Sequence, residues 1–197
     1  MTPIAEKILK YVAALAEGVP VAAKELLHLG SRAAVDQALS RLVRRGRLLR
    51  SGRGLYVRPV QGRFGARVPA AERVVAEVAK KQGAAIATHG AAAANRLGLT
   101  TQVPMQMTWL TSGRSRRLQL GNQTIELRHA PTWQLQHPER LSGEVLRALA
   151  WVGRDEAQHA LQRLKQRLPE ETCEELMAAR GALPEWLAKT ISIELAA

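Results

Sequence analysis

Arginine dominates the chemistry available to this chain. Between Ser31 and Arg67 ten arginines stand against one acid, Asp36. A guanidinium is permanently charged and presents its donors as a planar fork, matching a guanine edge or a phosphate, so such a run points to a polyanionic partner. Spacing divides it. Arg32, Gln37 and Arg41 fall on the outward side of a 3.6-residue period, where they reach base edges, and Ser31 and Ser40 are short enough to meet phosphates from the same helix. Arg44, Arg45, Arg47, Arg50 and Arg53 follow at the helix end and in the next turn, where phosphate contact is expected. The same arginines would also suit a solvated face that meets an acidic protein surface, or RNA. Arg114, Arg116 and Arg117 form a further cluster, either a second nucleic-acid contact or an exposed connection.

Other chemistry-bearing residues are sparse. Asp36 and Asp155 are the only aspartates, and no carboxylate lies between Glu77 and Glu126. A metal-dependent nuclease or nucleotidyltransferase needs clustered carboxylates for its cations. Glu126-Leu127-Arg128 resembles half of a nuclease motif, but it lacks the lysine and a preceding aspartate. Glu126 therefore reads as a strand-surface charge paired with a nearby arginine. No two of His28, His89, His129, His137 and His159 have the helical spacing of a zinc site. His89, just before Gly90, either holds a turn or meets phosphate. Cys173 sits among glutamates, which disfavour a thiolate, and as the single cysteine it forms no internal disulfide. The expectation is a protein without catalysis, metal or cofactor.

The elements that position the arginines are legible. Ile4, Ile8, Tyr11, Val12 and Leu15 line one side of a helix over 3–16, with Thr2 as its cap and Gly18 as its stop. A second helix runs from Ala22 to Leu29, with Leu26 and Leu29 inward. Ser31 caps a third, whose buried stripe is Val35, Ala38, Leu39 and Leu42. Leu48–Arg50 and Leu55–Val57 then form a hairpin around the basic turn Ser51-Gly52-Arg53-Gly54. Tyr56 anchors it from the core. Three helices followed by such a hairpin resemble a winged helix-turn-helix over residues 1–62.

Residues 62–69 read as a basic linker containing Arg63, Phe64, Gly65 and Arg67. Beyond it, 63–197 reads as a mixed α+β domain with a helical C-terminal part, making the whole chain α+β. A helix over 70–82 buries Val74, Val75 and Val78, and Ile86-Ala87 is a short strand. A small-residue helix spans 91–97, a strand 105–111, and a hairpin turns at Gly121-Asn122. Four short helices follow, over 141–152, 155–168, 170–179 and 184–195. Glu170, Glu171, Glu174 and Glu175 suit the positive end of the third, or make an acidic face for a partner.

Charge follows this order. Residues 1–60 and 61–140 each carry eleven Lys/Arg against four acids, whereas 141–197 carry seven against nine. The polyanion partner thus belongs to the front of the chain. No apolar run is long enough to span a membrane, and charges interrupt the N-terminal segment where a signal peptide is uniformly apolar, so a cytoplasmic protein is expected.

Residues 86–129, IATHGAAAANRLGLTTQVPMQMTWLTSGRSRRLQLGNQTIELRH, resemble the post-wing region of abortive-infection antitoxins of the AbiEi type. Leu97-Gly98-Leu99 followed by Thr101-Gln102-Val103-Pro104 is the most characteristic piece, and Gly52-Arg53-Gly54-Leu55-Tyr56-Val57 is similar to that family's wing. The resemblance covers roughly residues 1–130. It implies a transcriptional repressor that binds double-stranded operator DNA at its own promoter and counteracts a nucleotidyltransferase-type toxin encoded beside it.

Overall fold

A computed structural model describes residues 3–63 and 65–196 of the chain, a mixed α+β protein. Thr2, expected to cap the first helix, and Phe64 lie outside the described residues. Two compact units form: Met1–Ala84 with Arg116–Glu126, and Ala85–Ser115 with Leu127–Ala197.

The first unit grows from the inward stripe of the arginine-bearing helix. Its elements are α1 (Pro3–Ala13), β1 (Val21–Ala22), a 3-10 turn (Ala23–Leu29), α2 (Arg32–Arg44), β2 (Leu49–Gly52) and β3 (Leu55–Val57). Val35, Ala38, Leu39 and Leu42 of α2 are buried in one cluster with Ile8 and Val12 of α1, Leu26 and Leu48. The Ser31 hydroxyl accepts the Ala34 N–H at 3.4 Å, capping α2 as its type predicts. Strands pair antiparallel in the order β1-β3-β2, Val21 opposite Tyr56 and Arg50 opposite Tyr56 from the other side.

Several expectations need correction. The segment expected as a helix over 22–29 is a 3-10 turn preceded by a strand. Val21 pairs with β3, and the Ala23 N–H donates to the Gly54 carbonyl at 2.8 Å, so only seven residues remain before Gly30. α1 ends at Ala13 instead of residue 16. The linker over 62–69 is in fact a second hairpin, β4 (Val60–Gly62) against β5 (Gly65–Arg67). It carries the chain into α3 (Ala71–Lys81), whose Val74, Val75 and Val78 are buried as expected. Lys81 donates to the Pro20 carbonyl and pairs with Glu25 at 2.9 Å, while Arg67 and Arg73 both meet Glu17. Those ties hold α3 to the N-terminal core. The boundary expected at 62/63 therefore falls inside the first unit, which also contains β8 (Arg116–Leu120) and the start of β9 (Gln123–His129).

In the second unit β6 (Ile86–Thr88) pairs antiparallel with β7 (Met107–Thr111), Ala87 opposite Leu110. Between them lies α4 (Gly90–Arg96), capped by the His89 ring, which accepts the Ala91 N–H at 3.2 Å. The helices α5 (Leu141–Val152), α6 (Arg154–Lys165), α7 (Glu170–Ala179) and α8 (Glu185–Leu195) share a core of Val145, Leu146, Leu149, Leu161, Leu176, Leu187 and Ile191. α4 approaches α5 so closely that a Cβ on Gly90 would lie 2.4 Å from the Arg147 carbonyl oxygen. Ala93, Ala94 and Ala148 continue that contact.

Two polar devices hold the loop ahead of α5. Arg147 is almost wholly buried and donates to the carbonyls of Gln134, Gln136 and Pro138. Burial lowers its pKa to about 10, still high enough to keep the charge at neutral pH. Glu175 of α7 accepts from the Ser142 hydroxyl and from Arg140, and these bonds hold its carboxyl below the ordinary range. One of the four α7 glutamates is thus an internal tie. Glu170, Glu171 and Glu174 remain exposed.

Three stability outcomes follow from this packing. Leu39→Ala should cost about 2–5 kcal/mol, read by urea unfolding of the first unit through hydrogen exchange. A loss below about 1 kcal/mol would contradict the buried stripe. Gly90→Ala should destabilise the second unit by about 1–3 kcal/mol, since backbone must move to admit the methyl. All four tryptophans, at 109, 133, 151 and 186, lie in that unit, so their fluorescence follows it. Glu175 ionises more readily folded than unfolded, so its contribution is complete above the ordinary carboxylate range and disappears as pH falls through its folded pKa. Glu175→Gln should therefore lower stability at neutral pH, with the gap narrowing as pH falls below the ordinary carboxylate range. A gap independent of pH would remove the charge from the explanation.

Candidate nucleic-acid interface

Because Val35, Ala38, Leu39 and Leu42 are turned inward, the helical period leaves Arg32, Ala33, Gln37, Ser40 and Arg44 exposed on the other side of α2. Arg41 lies on the edge, half-buried, and its Nε is buried without a hydrogen-bond partner among the described residues. Gly46, at φ +65°, ends the helix and turns the chain toward β2. The β2–β3 hairpin then presents Arg50 and Arg53, both exposed.

A shallow groove separates helix from hairpin, lined by Lys24, Arg32, Asp36, Ser40, Arg50 and Arg53 with the Tyr56 ring at its wall. A second depression continues along α2 over Asp36, Gln37, Ser40, Arg41 and Arg44. Helix and hairpin thus form one continuous basic face, on which Asp36 is the acid that lines both depressions. Arg32 Nε donates to Asp36 Oδ2 at 2.8 Å, one helical turn away. The Arg32 side chain is 64 % exposed and that of Asp36 46 %, so this pair is worth at most about 1 kcal/mol. Among the described residues no acid pairs with Arg41, Arg44, Arg50 or Arg53.

Of the ten residues expected to meet nucleic acid, Arg32, Gln37, Ser40, Arg41, Arg44, Arg50 and Arg53 line these two depressions. Ser31, Arg45 and Arg47 are exposed nearby but line neither. Ser31 already uses its oxygen as the helix cap. Ser51, expected in the turn, is a fully buried residue of β2, on the strand face opposite the exposed Arg50 and where the register against β3 shifts. The turn itself is narrower, with Gly54 at φ +65°. Lys24 was missed, and the clue was its place on the polar side of the segment before α2. Arg117 reaches Glu126 at 3.8 Å, and Arg116 donates to the Gln82 side chain at 2.7 Å.

Among the described residues no group of three His, Cys, Asp or Glu could hold a metal ion, and no helix is long and apolar enough to cross a membrane. The geometry describes a mixed α+β chain with a cationic helix–hairpin face in its first unit. The chain belongs to a family of unknown function, DUF6088, whose profile it matches over residues 7–176, from α1 into α7. No curated protein and no solved structure matches it.

Arg50→Ala and Arg53→Ala should each weaken duplex binding evenly across sequences and reduce the slope of log affinity against log salt by about one unit per lost phosphate contact. Salt titration of each variant checks this. Unchanged slopes in both would remove the hairpin from the interface.

Proposed function

We propose that this protein is a DNA-binding transcriptional regulator that uses its N-terminal part as a winged helix-turn-helix. In this reading α2 enters the major groove and the β2–β3 hairpin grips the flanking phosphates. The carrying observation is the continuous exposed face from Arg32 to Arg53, in which four arginines have no acid partner among the described residues. A face of that kind gains strongly from releasing counterions on a polyanion, and its planar forks and Gln37 amide suit base edges.

The resemblance of residues 86–129 and of the hairpin to AbiEi-type antitoxins supports the fuller reading. The protein would be the antitoxin of a bacterial abortive-infection pair, acting in the cytoplasm without catalysis or cofactor. It would repress its own promoter and oppose a nucleotidyltransferase-type toxin.

Gel shifts of the full chain on its own upstream DNA test the regulatory part. Binding should be at least about 10³-fold tighter than to random duplex or to RNA of equal length. Equal affinity for all three would overturn it. Growth rescue tests the antitoxin part: Arg32→Ala/Arg41→Ala should lose promoter binding and still protect cells expressing the adjacent toxin. Loss of protection alongside loss of promoter binding would reduce the mechanism to promoter control.

A further inference from the structure

Asp36 is out of place on a surface built to meet phosphates. Its carboxylate lies in the groove between α2 and the hairpin and opposes every phosphate that approaches. Yet it is not an idle charge, because Oδ2 takes the Arg32 Nε–H at 2.8 Å. That bond uses the inner donor of the guanidinium. The terminal Nη1 and Nη2 groups, which carry no hydrogen bond to another described residue, form the end edge of the fork on a side chain 64 % exposed. Arg32 is also the first residue of α2, and a recognition helix meets base edges with its N-terminal residues. An end-on fork is the geometry that matches O6 and N7 of guanine in the major groove.

We infer that Asp36 is a positioning residue that aims Arg32 at one guanine of the target, making Arg32 and Asp36 together a determinant of sequence specificity. This rests on the DNA-binding reading above. Asp36 acts in two ways. Holding Nε limits the rotamers from which the fork can start, and the negative charge discourages Arg32 from collapsing onto a phosphate. The carboxylate therefore lowers affinity for arbitrary sequence while sharpening preference at one base pair.

The test begins with full-length wild-type protein and a randomised duplex pool. Enrichment of a preferred sequence is required by the DNA-binding reading, and its absence would overturn that reading and this inference together. Each guanine of the enriched duplex is then replaced singly by 7-deazaguanine, which removes the N7 acceptor. At one position wild-type binding should fall roughly tenfold, and Arg32→Ala should be insensitive to that replacement. Arg32→Lys should lose most of the preference as well, since an ammonium cannot fork.

Asp36→Ala should bind random duplex more tightly and shrink the penalty for 7-deazaguanine at the same position. Asp36→Asn, whose amide oxygen can still accept from Nε, should retain part of that penalty. Arg32 is exposed and Asp36 half-exposed, and circular dichroism checks that each variant is folded. If Asp36→Ala tightens all duplexes by one factor and leaves the 7-deazaguanine penalty intact, Asp36 is only a charge. The positioning role is then overturned while operator binding stands.

Discussion

One helix has to satisfy two surfaces, and the rest of the first unit follows from that constraint. α2 has thirteen residues, of which Val35, Ala38, Leu39 and Leu42 are buried. A residue advances the helix by about 100°, so a slip of one position would carry Arg41 toward the core and lift Leu39 into water. Burying an unpaired guanidinium costs far more than the small energy of any surface contact. The apolar stripe therefore sets the azimuth of every arginine on the outer face. The Ser31 cap and the positive φ of Gly46 set where that face begins and ends.

Concentrating cations on one face carries a cost in self-repulsion, and the fold distributes its carboxylates so that they do not relieve it. Glu17 is taken by Arg67 and Arg73, Glu25 by Lys81, and Glu126 by Arg117. These pairs fasten β5 and α3 to the N-terminal core and link β8 to β9. Only Asp36 remains among the arginines of helix and hairpin. An electrostatic field left unneutralised in this way extends about 8–10 Å at ordinary ionic strength, far enough to capture a polyanion before contact.

The outline of this arrangement could be read from the sequence wherever a single strong signal governs. Burial period located α2 and α3, glycine located the two hairpin turns at Gly54 and Gly121, and the helices over 141–152 and 170–179 match to the residue. Legibility failed where tertiary hydrogen bonds outweigh local preference. Nothing in Val21-Ala22 predicts its pairing with β3, and that pairing is what shortens the next segment to a 3-10 turn. The irregularity beside Ser51 is set by the register of β2 against β3, which one strand cannot reveal. Gly62 and Gly65 looked like linker glycines because β4 and β5 have almost no buried face to show a pattern. The site was legible as a set of residue types, but the Arg32–Asp36 pair and the entry of Lys24 required three-dimensional placement.

In the second unit several cations are tied internally. Arg147 serves three carbonyls, Arg140 and Ser142 converge on Glu175, Arg96 meets Glu144, and Arg163 and Lys165 donate to the carbonyls of Gly98 and Glu194. Here cations satisfy backbone and fasten helices, and the close contact of Gly90 with Arg147 leaves little room for adjustment. Removing a surface arginine from α2 leaves a solvated gap, but removing Arg147 leaves three carbonyls with a lost donor in a nearly closed space. The same residue type is therefore an exposed group on α2 and an internal brace at Arg147. Composition alone counts both alike. A net charge of +12 therefore overstates what is available to a partner, since Arg147, Arg140 and Arg96 use theirs within the protein.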